Sequence, residues 1–229
     1  MAGQQGFPQG QAAAEWREHW TLVLAAMLGF SVVGMSIYSL TAFLQPLHEA
    51  FGWSRTLISS GTTVYATTSM LCQPFVGRMI DRWGPRRIAL IGVVLSAITF
   101  ALFATANGSP TGWLLLWLVY SVSIQLMLTS TWSSAVASQF EAGRGLALAF
   151  TLGGSAIAGV IAPNAATWLI AAYGWRTAYV VIALAVGAIV FLMTWLFFYS
   201  RGDRLRSAAG AAPEEDLPGA SLAEAIRAP

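Results

Sequence analysis

Gly77-Arg78-Met79-Ile80-Asp81-Arg82-Trp83-Gly84-Pro85-Arg86-Arg87 decides how the rest of this chain is read. It is a short charged hairpin between two long apolar runs. It carries four of the twelve basic residues and the only aspartate before position 200. The simplest reading is topological: arginines in a tight turn between two apolar runs hold that turn on the inner side of a membrane.

Composition supports a lipid environment. Of 229 residues, 56% are hydrophobic and only 10% are charged, with a mean hydropathy of +0.63. Soluble domains are about one-quarter charged, and a chain of this size has no water-soluble core large enough to hide so much apolar surface. Every basic residue is arginine, and the net charge of +2 says little about partners; none of them is expected to be a nucleic acid. The single cysteine, Cys72, gives no disulfide framework and no thiolate cluster. His19 and His48 are far apart in sequence, so no metal site and no cofactor are expected.

Six apolar segments are long enough to cross a bilayer, which takes about 20 residues. They run over Trp20–Phe43, Thr56–Phe75, Ile88–Ala106, Trp113–Val136, Leu146–Ala172 and Thr177–Tyr199, and none has a charge in its interior. Lipid cannot satisfy backbone polar groups, so each is expected to be helical. Residues 1–19 read as a cytoplasmic tail, with Met1 to Ala14 mobile. Residues 20–199 read as the transmembrane domain, and 200–229 as a cytoplasmic tail or the start of a central loop. Ser221–Pro229 has the pattern of a short amphipathic helix.

Arginine placement orients the unit. With the N-terminus inside, the inner segments hold Arg17, Arg78, Arg82, Arg86, Arg87, Arg144, Arg201, Arg204, Arg206 and Arg227. The outer loops hold only Arg55 and Arg176. This bias places both termini in the cytoplasm. A weak repeat is also present. Phe51…Arg55 recurs as Phe140…Arg144, and Trp83-Gly84-Pro85-Arg86 recurs as Tyr173-Gly174-Trp175-Arg176, 89 and 90 positions on. Each copy falls on the opposite side of the membrane, the expectation for two inverted three-helix units. The fold class expected is therefore an all-α membrane protein of six transmembrane helices in two inverted repeats.

The hairpin pattern—Gly, three spacers, Asp-Arg, one spacer, Gly, one spacer, Arg-Arg—resembles the signature loop between the second and third helices of the major facilitator superfamily. Phe51-Gly-Trp-Ser-Arg55 and Gln139-Phe140-Glu-Ala-Gly-Arg144-Gly145-Leu-Ala-Leu148 look most like the bacterial monocarboxylate-porter and oxalate/formate-exchanger branch. That branch usually has two adjacent basic residues before Gly-Leu-Ala; here Gly143 precedes Arg144. The resemblance implies a secondary transporter of the bacterial inner membrane, moving a small organic anion by alternating access. Proton coupling, symport and antiport stay open. It also implies a conformational gate built from Gly77, Asp81, Arg82, Gly84, Arg86, Arg87, Glu141 and Arg144. Asp81 would brace one closed state against a helix of the second half, and Glu141 would pair with Arg86 or Arg87. The family has twelve helices, so six read as its N-terminal half. The other half is encoded in the same gene, in a separate chain, or supplied by self-pairing.

Polar stripes supply the candidate solute cavity. Ser31, Gly34, Tyr38, Thr41 and Gln45 follow a three-or-four spacing on the first helix, and Thr62, Tyr65, Ser69 and Gln73 on the second. Ser121, Gln125, Thr129 and Trp132 do so on the fourth. Such periods put each set on one face. The candidates to line a cavity are Tyr38, Thr41, Tyr65, Gln125, Trp132 and Asn164. Against this stands ordinary helix packing, in which Ser, Thr and Gln bond between helices. The Gly154, Ala158, Ala162, Ala166 stripe reads as close packing. A non-transporting scaffold or sensor subunit is the alternative function. A membrane-embedded enzyme ranks last, because no nucleophile, metal-ligand set or carboxylate pair stands out.

Overall fold

A computed structural model describes residues 10–199; the tail expected over 200–229, with its Ser221–Pro229 helix, lies outside the described residues. The elements among them are helical: α1 Gln11–Phe51, α2 Arg55–Trp83, α3 Pro85–Ala101, α4 Pro110–Ile124, α5 Thr129–Gln139, α6 Arg144–Tyr173 and α7 Trp175–Phe197. Short 3₁₀ turns follow α3 and α4.

Several expectations are corrected. The first helix starts at Gln11 and spans 41 residues, about 60 Å at 1.5 Å per residue, so positions 11–14, expected to be mobile, are helical. The charged hairpin is mostly helix. α2 runs on through Asp81 and Arg82 to Trp83, and the corner is Gly84 alone, with φ 82° and Pro85 opening α3. A positive φ suits glycine, and proline fits the first helical turn because its missing N–H has no helical partner there. Five of the six crossings are long and apolar enough to span a membrane by length and composition. α2 falls short because threonines and serines fill its middle, Ser59, Ser60, Thr62, Thr63, Thr67, Thr68 and Ser69 among them.

The fourth crossing is also not one helix. It breaks between α4 and α5 at Leu128, whose ψ of 173° is extended. The carbonyls released by the break are satisfied locally. Thr131 Oγ1 donates to the Leu126 carbonyl and Trp132 Nε1 to the Met127 carbonyl, both at 2.8 Å. A break inside a membrane is tolerated where such groups are re-satisfied within protein.

The inverted repeat is visible in the packing. α1 lies along α6, α2 along α4, and α3 along α7. Exchanging the two three-helix units, first for fourth crossing, second for fifth, third for sixth, maps this set of pairs onto itself. Gly84 (φ 82°, ψ 150°) and Gly174 (φ 80°, ψ 161°) turn the corresponding corners with one backbone conformation. Close approach depends on glycine at a few positions. A Cβ on Gly29 would overlap the Trp132 ring, one on Gly61 the Trp117 ring, and one on Gly154 the Met27 carbonyl. Toward the end away from the hairpin, Phe43, Phe100, Phe103, Trp113, Trp117, Tyr120 and Tyr179 form a continuous aromatic core, with Phe43 and Tyr179 stacked at 3.8 Å.

Candidate functional site

Two regions follow from this frame: a charged end and a polar wall. At the charged end the start of α1, the α2–α3 corner, the α5–α6 loop and the end of α7 come together. Glu15 carries the first of these contacts. Its carboxylate accepts from the backbone N–H of Glu141 (3.3 Å), Ala142 (3.1 Å) and Gly143 (2.9 Å). Three successive amides converging on one anion, at the entrance of a helix, form a favourable site for negative charge. Trp16 packs edge-on against Phe140 and Phe150 beside it. Sequence reasoning missed Glu15, because its partners are 126 to 128 positions away and no local pattern announces them.

Desolvation pushes the Glu15 carboxyl upward. The bonds from Gly143, Ala142 and Glu141 and the nearby His19 outweigh it, and the net pKa is lowered. A depressed folded-state pKa means that the contact stabilises above the ordinary glutamate range and is lost as pH falls through the folded value. Glu15→Gln is expected to free the first two turns of α1 at neutral pH. Site-directed spin labels at Gln11 should then gain mobility, and the wild-type label should gain it only on acidification. A label equally immobile in both proteins would count against the cap.

The gate residues divide. Asp81, Arg82 and Arg87 are exposed at the corner. Arg86 turns away from it: its Nη2 donates to the Trp195 carbonyl at 2.6 Å and to Tyr199 Oη at 2.8 Å. The expected pairing of Glu141 with Arg86 or Arg87 is not made. Among the described residues no arginine lies within ion-pair distance of a carboxylate; His19 Nε2 lies 3.8 Å from Glu18 Oε1. Glu141 is instead held through its backbone by Glu15, and Arg144, exposed, opens α6. Gly77 has open space around its α-carbon, so nothing within these helices demands a glycine there.

The polar wall is partly assembled. Tyr38 is 43% exposed on α1, one turn from exposed Thr41 and two from exposed Gln45, while Leu40, Phe43 and Leu47 bury the opposite face. Its ring lies over Gly159 of α6, where a Cβ would stand 3.3 Å away. Asn164, exposed on α6, donates to the Val160 carbonyl at 2.8 Å. Tyr65 is half-buried on α2. Gln125 is 1% exposed, and its Nε2 donates to Ser69 Oγ at 2.9 Å and the Ser121 carbonyl at 2.8 Å. Its Oε1 is buried with no hydrogen-bond partner. Trp132 is corrected: fully buried against Gly29 and spent on the helix break, it belongs to the core. Its spacing matched the stripe, but the extended Leu128 rotates α5 out of phase with α4. No cluster of three metal-ligating side chains occurs among the described residues.

Residues 26–228 match the Major Facilitator Superfamily. The chain belongs to this superfamily. It is 25% identical over 76% of its length to an uncharacterized MFS-type transporter of Bacillus subtilis, covering 43% of that protein. It is 23% identical over 79% of its length to the galacturonate transporter of Dickeya chrysanthemi, covering 51% of it. It is 24% identical over 79% of its length to the hexuronate transporter of Escherichia coli, covering 41% of it. The chain thus spans about half the length of these curated relatives, or less. As a superfamily member with apolar spanning helices it is an integral membrane protein. The superfamily match covers both the charged corner and the polar wall.

Proposed function

We propose that this chain is the N-terminal half of a secondary transporter that moves a small organic anion by alternating access. Both termini would be cytoplasmic, in a bacterial inner membrane. The observation that carries the reading is the polar wall: Tyr38, Thr41 and Asn164 stand uncovered on membrane-spanning helices, and α2 leaves Thr63, Thr67 and Gln73 uncovered as well. Exposed polar groups on membrane-spanning helices call for a water-filled cavity or a protein partner. A second six-helix half facing this wall supplies both. Gly77 and Asp81 point the same way, one open and one without an ion pair among the described residues, at the corner where that half would close.

Named relatives that carry galacturonate and hexuronate move sugar acids; a monocarboxylate is the narrower alternative drawn from the hairpin resemblance. Tyr38, Thr41, Tyr65, Gln125 and Asn164 are neutral hydrogen-bonding groups, suited to hydroxyl and carbonyl oxygens. The balancing positive charge for an anion would come from the second half.

Proteoliposomes carrying this chain co-reconstituted with a C-terminal six-helix half provide the test, with radiolabelled galacturonate and lactate as substrates. Saturable uptake is expected with both halves and none with this chain alone. Equal uptake by the purified, monomeric chain, or none of either substrate with the halves assembled, would refute the reading.

A further inference from the structure

Arg86 opens α3 and Arg176 opens α7, two residues after Gly84 and Gly174 respectively. The two arginines lie at opposite ends of the antiparallel α3–α7 pair, and each reaches the end of the other's helix. Arg86 Nη2 donates to the carbonyl of Trp195, in the last turn of α7, and to Tyr199 Oη just beyond it. Arg176 donates from Nε to the Ala104 carbonyl at 3.2 Å and from Nη2 to the Ala106 carbonyl at 2.9 Å, in the turn that closes α3. Each guanidinium also covers an aromatic face, Arg86 that of Tyr199 at 3.7 Å and Arg176 that of Trp175 at 4.2 Å.

The carbonyls at a helix C-terminus lack intrahelical donors and carry the negative end of the helix dipole. A guanidinium satisfies both needs at once, and its planar fork stacks on an aromatic ring in a way that an ammonium does not. We infer that Arg86 and Arg176 are reciprocal C-caps. Each positions the end of its partner helix, and together they set the register of α3 against α7 at both membrane surfaces.

The rest of that interface explains why the ends matter. α3 and α7 otherwise meet through apolar groups, with Ala97 directly against Gly187 and Phe100 edge-on to Tyr179 at 5.3 Å. Among the described residues no other side-chain hydrogen bond joins the two helices. Lipid tails compete with such apolar contacts on equal terms, so polar groups and close packing carry specificity. Apolar packing holds the middle of the pair, and the two caps fix its ends. The assignment separates Arg86 from its neighbour Arg87, which is exposed at the corner.

Hydrogen–deuterium exchange on the full chain in micelles tests the reciprocity. Arg86→Met is expected to speed exchange in residues 193–199, at the end of α7, by about fivefold or more, with residues 100–106 unchanged. Arg176→Met is expected to do the reverse. Arg87→Met should leave both segments unchanged. Arg86→Lys keeps the charge but loses the fork, and is expected to restore less than half of the protection. Should Arg86→Met fail to insert, Tyr199→Phe keeps the ring and removes one acceptor, with a rise of about twofold expected at 193–199. Loosening confined to the mutated arginine's own helix would overturn the inference. So would full protection by Lys, or no change in Tyr199→Phe and Arg176→Met.

Discussion

Gly154→Val is expected to drive α1 away from α6 and to cost at least about 2–3 kcal/mol, the upper part of the usual range for overpacking. A Cβ at Gly154 overlaps the backbone carbonyl of Met27 and stands 3.1 Å from Met27 Cγ. A flexible side chain can move aside; a helix backbone cannot without moving the whole helix. Gly34 marks a second such approach in the same interface, where a Cβ would stand 2.7 Å from the Ser155 carbonyl oxygen. The two helices therefore have no room to shift locally. α1–α6 is the longest helix pair in the unit, so separating it opens the start of the fold. Thermal unfolding followed by tryptophan fluorescence is expected to show a fall of roughly 5–10 °C in Tm. Gly153→Val is the matched control. Its Cβ meets nothing within 4 Å, so the same residue type, one position along the same helix, should change Tm by no more than about 2 °C. If both variants behave alike, helix propensity and not close approach explains the glycines.

Asp81→Asn is expected to change the balance between conformations with little effect on folding. The carboxylate is exposed at the corner, and no arginine lies within ion-pair distance of it among the described residues. Among the described residues its removal breaks no ion pair, so Tm of this half should stay within about 1 °C. In a complete two-half transporter the proposal gives Asp81 a partner, the positive start of a helix in the other half, reached only when the hairpin side is closed. Removing the charge should then cost about 1–3 kcal/mol of preference for that state, the usual scale of coupling between two conformations. That is a shift of roughly five- to 150-fold in the equilibrium between the states. Labelling of cysteines on the outer side of the cavity should slow, and uptake should fall. Unchanged labelling together with unchanged uptake would reduce Asp81 to a solubilising charge.

The sequence carried the membrane architecture because lipid imposes it residue by residue. Apolar runs of fixed length must be helices, and their number follows from counting. The corners were legible for the same reason: Gly84 and Gly174 stand where a chain must reverse, and their shared motif announced the inverted repeat before any packing was seen. The shared face of Tyr38, Thr41 and Gln45 was legible too, since the three keep one helical phase without interruption and all are exposed.

What only the tertiary structure decided lies wherever two distant segments settle a local question. The stripe through Gln125 and Trp132 assumed one continuous helix. The break at Leu128 depends on Thr131, Trp132 and a glycine on another helix, Gly29, whose missing side chain makes room for the ring. The hairpin arginines look alike in sequence, yet Arg86 is committed to the end of α7, 109 positions away at Trp195 and 113 at Tyr199, and Arg87 is not. Glu15 looked like part of a polar tail and is the cap of a loop 126 to 128 positions on. The physical reason is common to all three. A side chain's hydrogen-bonding capacity is a local property that sequence shows directly, but which group fills it depends on the distance of closest approach between helices, and that distance is set by the whole bundle.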